Sequence, residues 1–205
     1  TAQEAEDAET GLPGDHFSLE GAVELFKNAK SLEDFEKQLN AEDSKVNNLD
    51  LNGDGDIDYV RVFDRVQGGV HALVLQVPAS ETESQDIAVI GLEKTSEGNA
   101  MVQIVGDEDI FGEKVIVEPG DGDDEAAEAA LGSAAPGGST AYGKDALSLN
   151  RVWVAVNVWP WPCVRFMYAP VYVPWVSPWR WRVYPGWWRP WRPLAWGVWH
   201  PFWHR

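Results

Sequence analysis

All twelve tryptophans of this chain lie between Trp153 and Trp203, and prolines at 174, 178, 185, 190, 193 and 201 break up the same segment. Proline lacks an amide donor and fixes its own φ, so this stretch can form neither long helices nor central strands. Its expected conformation is extended or polyproline-II-like with turns, placing indoles and guanidiniums on alternating sides. So many indoles left in water would be an aggregation hazard. The surface that buries them therefore constrains both the fold and the function.

Charge divides the chain at the same place. Residues 1–150 carry nine Lys and Arg against 33 Asp and Glu, a formal −24, whereas residues 151–205 carry seven Arg and no acid, +7. Residues 15–119 hold regular hydrophobic periodicity, enough for one core of ordinary size. Residues 120–150 are rich in Asp, Glu, Ala, Gly and Ser and read as an acidic linker, too polar to offset their ordering entropy. Residues 1–14 read as a disordered leader, and residues 151–205 as a Trp/Arg/Pro-rich docking tail.

Within residues 15–119 the period changes once. Ser18 is placed to cap a helix burying Leu19, Ala22, Val23, Phe26 and Ala29. Ser31 and Asp34 form a capping-box pattern ahead of a second helix burying Leu32, Phe35 and Leu39. Beyond residue 55, β-branched segments at 57–63, 71–77, 86–94, 100–105 and 114–117 alternate with turn sequences. Residues 152–158 alternate as a further strand, and 171–173 suggest another. Helices followed by sequential strands predict an α+β fold: two helices on an antiparallel meander of about four or five strands. In layout this resembles the small helix–helix–four-strand modules of outer-membrane assembly lipoproteins.

Between helices and strands lies the sequence Asp50-Leu51-Asn52-Gly53-Asp54-Gly55-Asp56-Ile57-Asp58. Alternating oxygen-bearing side chains on a turning loop converge on one point, an arrangement suited to a hard cation. The loop resembles those of EF-hand and dockerin modules, and more closely the FG-GAP repeats of integrin-like propellers, where a strand follows. The resemblance implies Ca2+ as cofactor. Asp50, Asn52, Asp54 and Asp58 would be side-chain ligands and Asp56 would act through its carbonyl. Position 12 is Arg61 where an EF-hand has a bidentate Glu, so the closing ligand would be Asp58.

Segments such as Trp179-Arg180-Trp181-Arg182 and Trp187-Trp188-Arg189-Pro190-Trp191-Arg192 resemble indolicidin-type Trp/Pro/Arg-rich peptides. In such peptides indoles favour the membrane interface and arginines meet anionic headgroups. Trp175, Trp179, Arg180, Trp181, Arg182, Trp187, Trp188, Arg189, Trp191 and Arg192 are the candidate partner- or membrane-binding residues. Tryptophan and arginine are the residue types that dominate interface energetics. The first expectation is docking to an envelope protein complex or outer-membrane protein. The alternative is an anionic membrane or lipopolysaccharide surface, with the acidic head masking the cationic tail. Two other surfaces are the chain's own acidic head and glycan.

No nucleophile elbow, phosphate loop or zinc spacing occurs, so no catalytic residue is assigned and a non-enzymatic protein is expected. The acidic head would repel nucleic acid. Cys163 is the lone cysteine, so no internal disulfide forms. The start at Thr1 reads as a processed, exported protein of the periplasm or cell surface, attached peripherally to the outer membrane. As a whole the chain resembles bacterial cell-envelope proteins that pair one such loop with a Trp/Pro/Arg-rich C-terminus. That resemblance supplies no activity.

Overall fold

The computed structural model describes residues 8–120 and 156–203. The leader up to residue 7, the linker over 121–150 and the start of the 152–158 segment lie outside the described residues. The described residues up to 119 and from 157 onward form one compact unit, so the tail and the head share a single body.

The head is α+β. Helix α1 (Leu19–Asn28) starts where the Ser18 hydroxyl accepts the Gly21 amide. Helix α2 (Leu32–Leu39) starts where Ser31 accepts the Asp34 amide. The Asp34 carboxylate reaches back past the cap to the Lys30 amide. Both helices bury their expected faces: Ala22, Phe26, Ala29, Leu32, Phe35 and Leu39 are fully enclosed. Five strands follow in order, β1 (Arg61–Gln67), β2 (Val70–Pro78), β3 (Ser84–Ser96), β4 (Asn99–Gly106) and β5 (Ile116–Val117). Each pairs antiparallel with the next, giving a β1-β2-β3-β4-β5 meander. The one-turn helix α3 (Glu108–Phe111) links β4 to β5.

Alternation sorts the sheet into two faces. Register aligns Asp64, Leu73, Ile90 and Ile104 in one row and Val62, Leu75 and Ala88 in the next, all buried. Helices α1 and α2 pack toward β4 and β1 respectively.

The first strand begins at Arg61 rather than at residue 57, because the preceding amides are spent elsewhere. Asp58 donates to Leu49 O, Val60 to Asn40 Oδ1, and Ile57 to Trp191 O. Residues 171–173 form no strand: Tyr172 closes a turn onto Ala169 O, and Pro170 and Pro174 flank it. Residues 156–158 also lie outside any strand.

From residue 157 the chain straps the head. Asn157 bonds the amide of Ala100 and the carbonyl of Gly98, and Val158 donates to Ala100 O, covering one end of the β4 edge. Helix α4 (Pro162–Met167) has Pro at its first position, where no intrahelical amide is needed. It adds Cys163, Val164 and Met167 to the core beside α1, and Trp161 meets Phe26 edge-on at 6.1 Å. Trp175 O then accepts the Asp64 amide, Ser177 donates to Val62 O, and a bridge joins Val176 to Phe63. The exposed β1 edge is thereby capped within the same chain. Past the turn at residues 180–183 the strap crosses the 50–58 loop, bonds Asn48 through Leu194, and runs through α5 (Trp196–Trp199) into a 3-10 turn at His200–Phe202.

Candidate functional site

The loop at 50–58 is folded around its own carboxylates. Asp50 Oδ1 accepts the amides of Gly53 and Asp54, and its Oδ2 accepts that of Gly55. Asn52 Oδ1 accepts the Asp54 amide and Asp54 Oδ1 that of Asp56. Gly53 and Gly55 sit at φ +74° and +85°, a region costly for any residue with a Cβ. Ile57 anchors the loop in the core, while Asn52, Asp54 and Asp56 face solvent.

Asp58 is buried and accepts the Leu51 amide at 2.6 Å and Asn52 Nδ2 at 3.3 Å. Burial pushes its carboxyl up to about 6; the Leu51 hydrogen bond opposes this, and the neighbouring charges of Asp50 and Asp54 add to it. Among the described residues no three His, Cys, Asp or Glu side chains are drawn together as a closed metal cage. The donor set still fits a hard cation in kind: each ionised carboxylate has about four acceptor positions, and the loop amides use only some of them. Arg61, at position 12, contributes nothing here; its guanidinium bonds Gln76, Ser84 and Trp179 O on the sheet side.

The strap rests directly on this loop. Ile57 donates to Trp191 O at 2.8 Å. Tyr59, the next residue but one after Ile57, packs edge-on against Trp188 at 5.2 Å, and Trp188 meets Tyr184 at 4.7 Å.

The ten candidate tail residues fall into three groups. Trp188 is buried in the protein's own core, and Trp175 donates to Glu36 from its indole Nε1. Trp179, Trp181 and Trp191 are half-buried, while Trp187 is exposed with Lys37 over its ring. Arg180, Arg182, Arg189 and Arg192 face outward, Arg189 bonding the carbonyls of Gly186 and Trp188.

Two buried acids that the motif reading passes over hold the strap. Glu36 Oε1 accepts the hydroxyls of Tyr59 and Ser177; Oε2 accepts the amide of Val62 and the indole of Trp175. Two of the four donors belong to the strap. Burial raises the Glu36 pKa, and the four donated bonds, the Val62 amide foremost, oppose that shift. The sequence signal was available: Glu36 follows Leu32 by four and precedes Leu39 by three, which places it on the apolar face of α2.

Asp64 Oδ2 meets His71 Nδ1 at 2.8 Å and accepts the Tyr172 hydroxyl, while its Oδ1 is buried without a partner. Tyr168 and Tyr172 close edge-on over His71. Cys163 is buried too, its thiol pushed up to about 12 by burial first and then by the charges of Asp34 and Asp64. It is an apolar filler rather than a nucleophile, since reactivity requires the thiolate.

In comparisons with known proteins, the chain matches no family model, no curated protein and no solved structure. Among the described residues no helix is long and apolar enough to cross a membrane.

Proposed function

We propose that this is a calcium-stabilised, non-enzymatic protein of the bacterial cell envelope, exported and held peripherally at the outer membrane. It serves as an accessory subunit that docks to an envelope protein complex through the outward side of its tail. The observation that carries this reading is the composition of the tail surface left over after the strap has packed. Val171, Val173 and Val176 are 88%, 78% and 63% exposed, Phe166 is 43% exposed, and Arg165 stands beside Phe166. Phe166 and Tyr172 touch edge-on at 5.4 Å, so Phe166 lies beside the stretch that carries Val171 and Val173. No acidic residue occurs anywhere in the tail. The complementary partner is an apolar protein surface edged by carboxylates.

The strip is tested by recovering the tagged, full-length protein from its native envelope beside a Val171→Asp/Val173→Asp variant. Loss of stoichiometric companions from the variant alone supports docking. Identical companions, or retention of anionic lipid with no protein companion, contradicts it.

Calcium would be held by Asp50, Asn52, Asp54, the Asp56 carbonyl and Asp58, and its role would be structural. It offsets repulsion among the loop carboxylates and fixes the platform on which Trp188 and Trp191 rest. Binding to the folded state alone stabilises by about 2.7 kcal/mol at a hundredfold excess over Kd. The thermal midpoint of the full-length protein should rise with calcium over chelator, and Asp54→Ala should abolish the rise. An unchanged midpoint in the wild-type protein removes calcium from the account.

A further inference from the structure

A cavity of about 560 Å3 opens where the strap passes the β2–β3 connection. Arg61 contributes to its wall from the head, Arg180, Trp181 and Arg182 from the strap, and Glu81 and Ser84 from the connection. Arg61 is held rigidly: Nε and Nη2 donate to Gln76 Oε1 at 3.0 and 2.5 Å, Nη2 to Ser84 Oγ at 2.8 Å, and Nη1 to Trp179 O at 3.2 Å. Gln76 is itself fixed by donating to Asp86.

The other two guanidiniums are presented by a tight turn. Arg180 and Val183 exchange both backbone hydrogen bonds, at 3.1 and 2.8 Å, with Trp181 and Arg182 between them. Arg182 lies at φ +58°, in the left-handed region that favours glycine or asparagine. Such conformations persist where the surroundings over-determine them, and ligand clamps are a recurrent setting. Its guanidinium carbon lies 5.4 Å from the centre of the Trp181 ring. Among the described residues neither Arg180 nor Arg182 has an ion-pair partner or a side-chain hydrogen bond. Glu81 lines the same cavity without pairing to either.

We propose that this cavity is an anion-binding site for a phosphate-bearing ligand, gripped by Arg180 and Arg182 against the fixed guanidinium of Arg61. Three arginines against one glutamate leave two positive charges in the wall. That surplus matches the charge of a phosphate monoester, about −1.5 to −2 at pH 7, better than that of a single carboxylate. Guanidinium forks donate two parallel hydrogen bonds to phosphate oxygens, and unpaired forks supply this at no cost of breaking an internal pair. The half-buried Trp181 gives one wall an aromatic face for the apolar or sugar portion that carries the phosphate. The site is separate from the Phe166–Val176 strip and does not depend on the docking reading.

The test is titration calorimetry of the full-length protein with pyrophosphate and with acetate, beside sedimentation with phosphatidic-acid and phosphatidylcholine vesicles. Pyrophosphate binding identifies a soluble ligand, and binding to phosphatidic acid alone identifies a lipid headgroup; either result supports the site. Arg180→Gln/Arg182→Gln should weaken that binding tenfold or more, with an unchanged thermal midpoint as the control for folding. Lys27→Gln/Lys30→Gln, which removes equal charge at exposed positions of the head outside the cavity, should leave it within twofold. Binding to neither phosphate probe overturns the proposal. So does acetate binding as tightly as pyrophosphate, or an equal loss in both double variants.

Discussion

The head and the strap are both packed, yet different physics holds each. In the head, helices and the meander satisfy most of their own backbone, and burial follows period: Phe26, Leu32, Phe35 and Leu39 on the helices and Leu73, Leu75, Ile90 and Leu92 on the strands are enclosed on the faces that periodicity assigns them. In the strap, prolines forbid that solution, and the backbone borrows partners from the head. Asn48 bonds both the amide and carbonyl of Leu194, and Val62, Asp64 and Ala100 each exchange a main-chain bond with a strap residue. The strap's buried area is shared between indoles and apolar side chains near its start: Trp161, Trp188 and Trp199 are enclosed, as are Val158, Val164 and Met167. Irregular chain becomes part of a core when another element provides its hydrogen bonds. The converse is that a head built to provide them is incomplete alone.

The largest effect follows from that converse. Ending the chain at Pro119 strips the β1 edge, removes α4 from beside α1 and takes two donors from Glu36. Three buried tryptophans at about 1.5–3 kcal/mol each imply a loss of about 4.5–9 kcal/mol, comparable with the whole stability of a domain. Circular dichroism of residues 1–119 should show an unfolded or aggregating chain. A cooperative melt within a few degrees of full length would show a head that is complete without the strap.

Glu36 separates charge from geometry. Glu36→Ala leaves the purely donating Val62 amide and Trp175 indole unpaired in a cavity and should cost about 3 kcal/mol by chemical denaturation. Glu36→Gln should fold well. Its amide oxygen can take those two donors while its NH2 faces the Tyr59 and Ser177 hydroxyls, which are able to accept. The pH response sharpens this. With a folded pKa raised above the ordinary 4.5, Glu36 contributes stability that is complete below that value. The contribution is lost as pH rises through the folded pKa. Glu36→Gln should therefore gain on wild type as pH climbs from about 4.5, and a constant difference would show that the raised pKa is not what governs this site.

The smallest effect lies at the strap's turn. Arg182→Asn puts a residue tolerant of left-handed backbone at φ +58° and should stabilise by about 0.5 kcal/mol. Destabilisation there would mean that the arginine side chain contributes to holding the turn.

The unequal legibility of the two regions has the same cause. Ser18, Ser31 and the three-four spacing of Leu19 to Ala29 announce helices because local chemistry and burial agree. The strands announce themselves likewise, save at residues 57–60, where the amides of Ile57, Asp58 and Val60 go to Trp191, Leu49 and Asn40. The 50–58 turn was readable from its alternating oxygens and its two glycines. The path of the strap was not, because its partners are single side chains scattered over the head. No periodicity links Trp175 to Glu36, Tyr172 to Asp64 or Trp203 to Ser44. Gly21 shows how specific such contacts are: a Cβ there would come within 2.8 Å of the Trp203 indole. Only Glu36, an acid on an apolar helix face, advertised itself.

Because every tryptophan lies in residues 153–203, indole fluorescence reports the strap while far-ultraviolet circular dichroism reports the head's helices and sheet. Equilibrium urea unfolding of the intact protein followed by both signals tests most directly whether strap and head are one cooperative body. A single cooperative body gives coincident transitions with one midpoint and one slope. A fluorescence transition completed at lower urea than the circular dichroism transition would contradict it, showing a strap that leaves while the head stays folded.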